Sequence, residues 1–273
     1  MAADRAARRR GPPRRRVADA PAGAARPLLA ALAITAAIGG GPALRRYGHR
    51  LLLWRGGWRT VLLVLSPLIL LAAVLLGQRI AGSDWPAGGA LFAISGTAAG
   101  ALPVLAALVL VNGLGEEAGW LGFLQERLQR RFGPTRAALL TALVWAGWHA
   151  PLFVILESFR GFDLVTLVGF FLGMAAGALV LAYVYNRAGG SVIAAACWHA
   201  GYNLASATPA AQGLVAAVVT TGVMTAAVIL LVAGLRSTRH GTPPPLLGGR
   251  PSAPDPASAQ RPVHGEGPVH QAS

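Results

Sequence analysis

The chain has 273 residues, of which 54% are apolar and 12% charged, and its mean hydropathy of +0.53 excludes an ordinary soluble domain and predicts an integral membrane protein. Every basic residue behind the net charge of +14 is arginine, and the arginines fall in the tails and between apolar runs. We therefore expect membrane topology to account for the charge and expect no nucleic-acid partner. The single cysteine, Cys197, excludes an internal disulfide.

The two ends of the chain differ in composition from its middle. Residues 1–26 are rich in Arg, Ala and Pro and cannot bury an apolar core, so they predict a disordered basic tail. Residues 237–273 are rich in Pro and predict a second disordered tail. Between them, residues 27–236 form one predicted transmembrane domain.

Apolar segments fill this domain. A helix needs about 20 apolar residues to cross a bilayer. Pro27–Gly41, at about 15 residues, is too short, and we expect it to be re-entrant or part of a helical hairpin. The pattern predicts an all-α, polytopic transmembrane helix bundle with about six to eight membrane segments. The longer apolar segments are Arg59–Leu76, Ala90–Leu114, Pro134–Leu156, Leu164–Tyr185, Ser191–Ala207 and Gln212–Leu235.

One stretch is too long for a single span. Ala90–Arg130 would measure roughly 60 Å as one helix at about 1.5 Å per residue. It contains the small-residue sequence "SGTAAGALP", which predicts a break. We expect the spanning helix to begin near Pro103 and to run through Glu116 and Glu117.

The arginines give the orientation. They cluster in every second connection between the apolar segments, and the intervening loops are poor in arginine. The positive-inside rule then puts the arginine-rich connections and the C-terminus in the cytoplasm of a multi-pass plasma-membrane protein. The arginines of these connections are Arg45, Arg46, Arg50, Arg55, Arg127, Arg130, Arg131, Arg136, Arg187, Arg236 and Arg239.

Of the acidic residues and histidines, only Glu116, Glu117, His149 and His199 lie inside the apolar body, and Asn203 follows His199 by one helical turn. Counting from Arg130, Arg136 and Arg187 at about 1.5 Å per residue places Glu116, His149 and His199, respectively, on the order of 18 to 21 Å deep. Each charge costs about 2.5 to 3.5 kcal/mol at the centre of a span, so a cluster at one depth predicts a functional site. The tryptophans near it predict helix contacts or a cavity wall: Trp120, Trp145, Trp148 and Trp198.

A carboxylate beside imidazoles can deprotonate water, directly or with a metal that lowers the pKa of the water. The residues permit Zn²⁺ held by Glu116, His149 and His199, although no H-E-x-x-H signature is present. His199 and Asn203, one helical turn apart, could instead donate hydrogen bonds to an oxyanion. These two roles for His199 are alternatives, and the cofactor stays open.

Three sequences resemble the motifs of the CPBP intramembrane proteases, the CAAX-processing endoprotease or abortive infectivity family. They are "GEEAGWLGFLQERLQRRFGP", "LVWAGWHAPLF" and "SVIAAACWHAGYN", which match EExxxR, an aromatic residue four before His, and HxxxN. In the second motif Trp145 stands where Phe is commoner. In the first, Leu121 stands where the family has Arg.

The resemblance implies an intramembrane endopeptidase that acts on a membrane-associated protein or peptide and is reached from the cytoplasmic side or the bilayer. It implies that Glu116 and His149 activate water, that Glu117 supports them, and that His199 and Asn203 stabilise the tetrahedral intermediate. Two other hypotheses remain. Leu121 is compatible with a catalytically inactive immunity or scaffold protein, and buried Glu and His residues also occur in proton-coupled transporters.

Overall fold

The computed structural model describes residues 25–94, 97–98, 101–155 and 157–240. The predicted tails lie outside these ranges, apart from Ala25, Arg26 and residues 237–240. Within the residues that the structure describes, six helices are long and apolar enough to cross a membrane, and the chain is an all-α, multi-pass membrane protein. The helices are α1 (Arg26–Leu51), α2 (Trp58–Ile80), α3 (Ala101–Ala107 through Glu126–Phe132), α4 (Pro134–His149), α5 (Leu152–Ile155), α6 (Glu157–Arg160), α7 (Leu164–Arg187), α8 (Val192–Ser206) and α9 (Leu214–Arg239).

The first helix is not a straight span. At Gly40 the backbone adopts φ 58° and ψ −156°, which interrupts the helical geometry. A straight helix would separate Pro27 from Tyr47 by about 30 Å. Both nevertheless contact one turn of α3: a Cβ on Gly119 would lie 2.5 Å from Pro27, and the Tyr47 hydroxyl lies 2.6 Å from the Ala118 carbonyl oxygen. The segment therefore bends back at Gly40 into a hairpin, as expected for the short Pro27–Gly41 run.

The same helix corrects one expectation. Arg45, Arg46 and Arg50 were predicted in a connection, but α1 continues through them to Leu51. The shorter α1–α2 connection retains Arg55. Arginine is a good helix former, so charge alone does not end a helix.

The glutamate-bearing helix begins where the small-residue stretch ends. A short antiparallel ladder, Ala93–Ile94 with Thr97–Ala98, precedes α3, which starts at Ala101. This confirms the predicted break and a start near Pro103. Within α3, Leu108–Leu114 and Trp120–Gln125 are π-helical and flank Gly115–Gly119, the turn that carries both glutamates. Such wide turns frequently occur at functional sites.

Two predicted segment ends differ from the structure. The 134–156 segment is broken after His149, because Pro151 cannot continue the helical hydrogen-bond ladder. At the other end of the domain, α9 continues to Arg239, three residues into the predicted tail.

The predicted segment Ser191–Ala207 forms α8, which has 15 residues and is about 22 Å long. This is too short to cross a bilayer core of about 30 Å. The helix is instead buried between its neighbours, chiefly α2 and the π-helical stretch Leu108–Leu114 of α3. It begins where the Ser191 hydroxyl accepts a hydrogen bond from the Ala194 N–H, so its register is fixed inside the bundle.

The arginine-rich connections meet at one end of the bundle, as their alternation predicted. Arg50 of α1 pairs with Glu126 of α3 at 3.2 Å and donates to the Tyr185 hydroxyl of α7 at 2.8 Å. Arg55 packs against Gly189, in the connection between α7 and α8. At the opposite end, the exposed Asp163 carboxylate caps α7 by accepting from the Thr166 N–H at 2.8 Å, which lowers the pKa of Asp163.

Candidate active site

A buried carboxylate and a buried imidazole form a close polar pair inside the membrane domain. Glu117 Oε1 lies 2.7 Å from His199 Nδ1, and the side chains are only 1% and 9% exposed. The glutamate comes from the turn between the π-helical stretches of α3, and the histidine comes from buried α8. A carboxylate accepts this hydrogen bond, so the Nδ1 of His199 carries the proton.

The second imidazole is fixed in the same way by a different acceptor. His149, the last residue of α4, has its Nδ1 2.8 Å from the Trp145 carbonyl oxygen, one turn earlier. A carbonyl can only accept, so Nδ1 donates, and the lone pair of the neutral ring lies on Nε2. Both histidines therefore have Nδ1 engaged and Nε2 available for chemistry.

One tryptophan ring joins the two imidazoles. The Trp145 ring centroid lies 5.7 Å from that of His149 and 6.0 Å from that of His199, both edge to face. The opposite contact of His149 is with Phe170, at 5.7 Å. Phe170 belongs to an aromatic cluster that covers this side of the site and comprises Phe153, Phe159, Phe162, Phe170 and Phe171.

The two glutamates have different surroundings. Glu117 is buried against His199, whereas Glu116 is less completely covered. The indole N–H groups of Trp120 and Trp145 are directed to the Glu116 carboxylate, but neither makes a hydrogen bond within 3.5 Å. Glu116 lies within electrostatic reach of His199, and His149 also lies within reach of His199. His199 is thus at the centre of the cluster.

Asn203 is the least connected of the predicted site residues. It is half-buried on α8, one turn after His199 and on the same helical face. Among the residues that the structure describes, its side chain makes no hydrogen bond to either histidine or either glutamate. The structure brings Glu116, Glu117, His149 and His199 together, and it places Asn203 one helical turn from His199.

The predicted zinc ligands do not form a metal-binding group. In the described part of the chain, no three His, Cys, Asp or Glu side chains are arranged so that they could hold one ion. Zinc requires three or four ligand atoms at about 2.0 to 2.3 Å. Although the free Nε2 atoms of both histidines suit a metal chemically, Glu116, His149 and His199 do not converge to those distances.

The sequence did not predict several contacts within the site. Trp145 was predicted only as a cavity wall or helix contact, yet its carbonyl fixes the tautomer of His149. The i, i+4 spacing of Trp145 and His149 was the available signal, because a helical side chain can reach the carbonyl one turn earlier. Phe170 and Tyr47 had no such signal, since their contacts cross between helices.

Comparison with known proteins adds the family. Residues 97–205 match a family model described as "Rce1-like: Type II CAAX prenyl endopeptidase Rce1-like". This segment is similar to the Rce1-like family. All five predicted site residues lie within it, whereas α1, α2 and α9 lie outside it. The match agrees with the resemblance to CAAX-processing proteases.

Part of the chain is also similar to a curated protein. The chain is 27% identical over 152 residues to "CAAX prenyl protease 2" of Methanococcus maripaludis, an alignment that covers 53% of this chain and 54% of the relative. The chain therefore spans about half the length of the curated relative that it matches. The protease activity in the printed name is that of the relative.

Proposed function

We propose that this chain is a glutamate-dependent intramembrane endopeptidase. The observation that carries the proposal is the pair of fixed imidazoles: Glu117 and the Trp145 carbonyl hold the Nδ1 atoms of His199 and His149, which leaves both Nε2 atoms available. A base with a fixed tautomer and orientation is what general-base activation of water requires. This arrangement lies inside the Rce1-like segment.

In the proposed reaction, Glu116 and His149 activate the water. The water oxygen attacks the peptide carbonyl carbon while its proton passes to the base, and the carbonyl oxygen becomes an oxyanion. Collapse of the tetrahedral intermediate breaks the C–N bond, and the proton moves to the leaving amine. Of the two glutamates, Glu116 suits the base because it is less covered, whereas Glu117 is occupied by His199.

His199 and Asn203 are assigned to the oxyanion. His199 already donates from Nδ1 to Glu117, so donation from Nε2 requires the imidazolium form, whose positive charge the Glu117 carboxylate balances. This gives Glu117 a supporting role. The Asn203 amide lies one turn along the same face and supplies a second donor after a small side-chain rotation.

The proposed substrate is a membrane-associated protein or peptide, in keeping with the CAAX prenyl substrates named for the family and the relative. We place the protein in the plasma membrane with its arginine-rich end and C-terminus in the cytoplasm, following the positive-inside rule. The substrate then reaches the site from the cytoplasmic side or from the bilayer.

One observation favours a second candidate function. Leu121, where the related motif has Arg, is 2% exposed and packs in the apolar core. A leucine cannot donate a hydrogen bond, so the polar role of the motif arginine is absent from this position. A catalytically inactive scaffold or immunity protein is therefore the alternative. This alternative predicts that cells carrying the Glu116→Gln, His149→Ala double variant keep the wild-type phenotype.

The deciding experiment compares membrane peptides from cells that express wild type or Glu116→Gln, followed by cleavage of the candidate substrate in proteoliposomes. General-base catalysis contributes about 10²- to 10⁴-fold, so we expect Glu116→Gln and His149→Ala to lose cleavage to that extent while inserting normally. Asp84→Asn, which removes an exposed loop carboxylate, is the matched control. Full activity of either site variant contradicts the mechanism.

The metal question has its own test. Because Glu116, His149 and His199 do not converge as ligands, we expect cleavage to survive removal of divalent ions by a chelator. Metal analysis of the purified, active protein provides the second measurement. Stoichiometric zinc together with loss of cleavage on chelation contradicts the metal-independent proposal.

A further inference from the structure

The hairpin formed by α1 packs against the turn of α3 that carries the two glutamates. Its first arm packs so closely that a Cβ on Gly119 would lie 2.5 Å from Pro27 Cβ and 2.7 Å from the Pro27 backbone. Its second arm inserts Tyr47, which is 6% exposed. Both arms therefore contact the turn Gly115–Gly119 or its immediate neighbour, and this turn carries Glu116 and Glu117.

Tyr47 makes a polar contact between the hairpin and the Gly115–Gly119 turn. Its hydroxyl donates to the Ala118 carbonyl oxygen at 2.6 Å, within a buried environment. Its ring lies 3.6 Å from the position that a Cβ on Gly122 would occupy. Ala118 directly follows Glu117, so the hydrogen bond fixes the peptide unit next to the glutamate pair.

A hydrogen-bond donor from another helix can fix the orientation of the Gly115–Gly119 turn. The Gly115–Gly119 turn lies between two π-helical stretches, where the backbone departs from regular α-helical geometry. The direction of the Glu116 and Glu117 side chains depends on the rotation of this turn. Leu121 supplies no polar contact from within the helix, whereas Tyr47 supplies one from α1.

We propose that Tyr47 is a positioning residue, whose hydroxyl holds the Ala118 carbonyl and thereby aims Glu116 and Glu117 at the two histidines. The inference rests on the proposed function, because it assigns Tyr47 a part in the same reaction. Tyr47 lies outside the matched family segment and acts through the backbone without touching substrate. The hairpin thus helps to position the glutamates of the site.

The first test is Tyr47→Phe, which removes the hydroxyl and keeps the ring. One hydrogen bond corresponds to about a 2- to 12-fold effect, so we expect kcat per folded molecule to fall by that factor with KM unchanged within about twofold. Tyr183→Phe is the matched control, since among the described residues the half-buried Tyr183 hydroxyl makes no hydrogen bond. Unchanged kcat in Tyr47→Phe overturns the inference.

Hydrogen exchange supplies a measurement that does not need activity. In Tyr47→Phe we expect faster exchange in peptides covering residues 115–125 and unchanged exchange in those covering 192–206. If the wild-type protein has no protease activity and Tyr47→Phe still exchanges faster in residues 115–125, the proposed function is refuted while the positioning by Tyr47 is supported. Unchanged exchange in residues 115–125 would refute the positioning, whatever the activity.

A second variant tests the contact that the first arm of the hairpin makes with the same turn. Gly119→Ala places a methyl group against the Pro27 backbone and pushes the first arm away while leaving Tyr47 intact. We expect the same selective loss of kcat. Gly147→Ala, where an added Cβ meets no atom within 4 Å, is the control for a helical Gly-to-Ala change. Loss in Gly147→Ala equal to that in Gly119→Ala would contradict the role of the hairpin.

Discussion

Two buried carboxylates of the same helix, nine residues apart, have opposite surroundings. Glu126 accepts from Arg130 at 2.7 Å and from Tyr185 at 3.0 Å, and it pairs with Arg50 at 3.2 Å. Glu117 has one partner, His199, and its Oε2 is buried without a hydrogen bond in the described part of the chain. The first carboxylate is fully satisfied, whereas the second keeps unused hydrogen-bonding capacity.

This difference separates an anchor from a site. The Glu126 cluster joins α1, α3 and α7 at the arginine-rich end. Beside the neighbouring Glu116, the indole N–H groups of Trp120 and Trp145 are also buried without a hydrogen bond to any described residue. Each such group costs about 1 to 3 kcal/mol of stability. Unsatisfied buried groups in native structures call for a functional explanation, and three in one cluster favour a place for substrate and water.

The largest effect on turnover among the variants that probe this comparison is expected for Asn203→Ala. Removing one donor to an oxyanion typically lowers kcat by about 10²- to 10³-fold. Because the oxyanion forms only in the transition state, KM should change little. Steady-state cleavage in proteoliposomes measures both constants. An equal change in substrate binding would assign Asn203 to structure instead of catalysis.

A smaller effect is expected for Glu117→Gln. The amide oxygen can still accept from the Nδ1 of His199, but the negative charge that balances an imidazolium is lost. Carboxylates that orient a histidine ligand in metal sites contribute about 10- to 100-fold, and we expect kcat to fall by a similar factor here. Glu116→Gln should be more severe.

Glu117→Leu is the companion variant. It removes the acceptor as well as the charge, which leaves the Nδ1 proton of His199 without a partner, and it should lower kcat further than Glu117→Gln. If Glu117→Gln were instead inactive and Glu116→Gln active, the assignments of the two glutamates would have to be exchanged.

Sequence predicted the parts of this site that follow from local spacing. The depth count from the cytoplasmic arginines placed both histidines and the glutamates in one layer, and the structure brings these residues together. The break before Ala101 followed from small residues, and the arginine-rich end followed from alternation. Each of these depends on rise per residue or on composition, which a sequence displays.

Contacts between helices were not predictable in this way. Spacing on α3 shows that Glu116 and Glu117 point about 100° apart, but it does not show which of them reaches His199. The contact of Tyr47 with Ala118 crosses 71 positions and depends on the bend at Gly40. The convergence expected of zinc ligands likewise depends on helix rotations that no local pattern fixes.

The smallest effect on turnover is expected for Glu126→Ala, which removes the acceptor shared by Arg50, Arg130 and Tyr185. Breaking a fully buried ion pair costs about 3 to 5 kcal/mol. The Arg50 and Arg130 side chains are 32% and 60% exposed, so solvent compensates part of the loss. We expect the free energy of unfolding to fall by about 1 to 3 kcal/mol. Thermal unfolding in detergent, followed by tryptophan fluorescence, measures this change against Asp84→Asn.

Turnover per folded molecule of Glu126→Ala should stay within about twofold of wild type, since the Glu126 cluster is about 13 Å along α3 from Glu117 at 1.5 Å per residue. The two buried carboxylates would then separate cleanly: substitution of Glu126 lowers stability, and substitution of Glu117 lowers kcat. A fall in kcat as large as that of Glu117→Gln, in protein shown to be folded, would mean that the arginine-rich end also controls the site. The hairpin would be the connection to examine first, because Arg50 and Tyr47 lie one turn apart on its second arm.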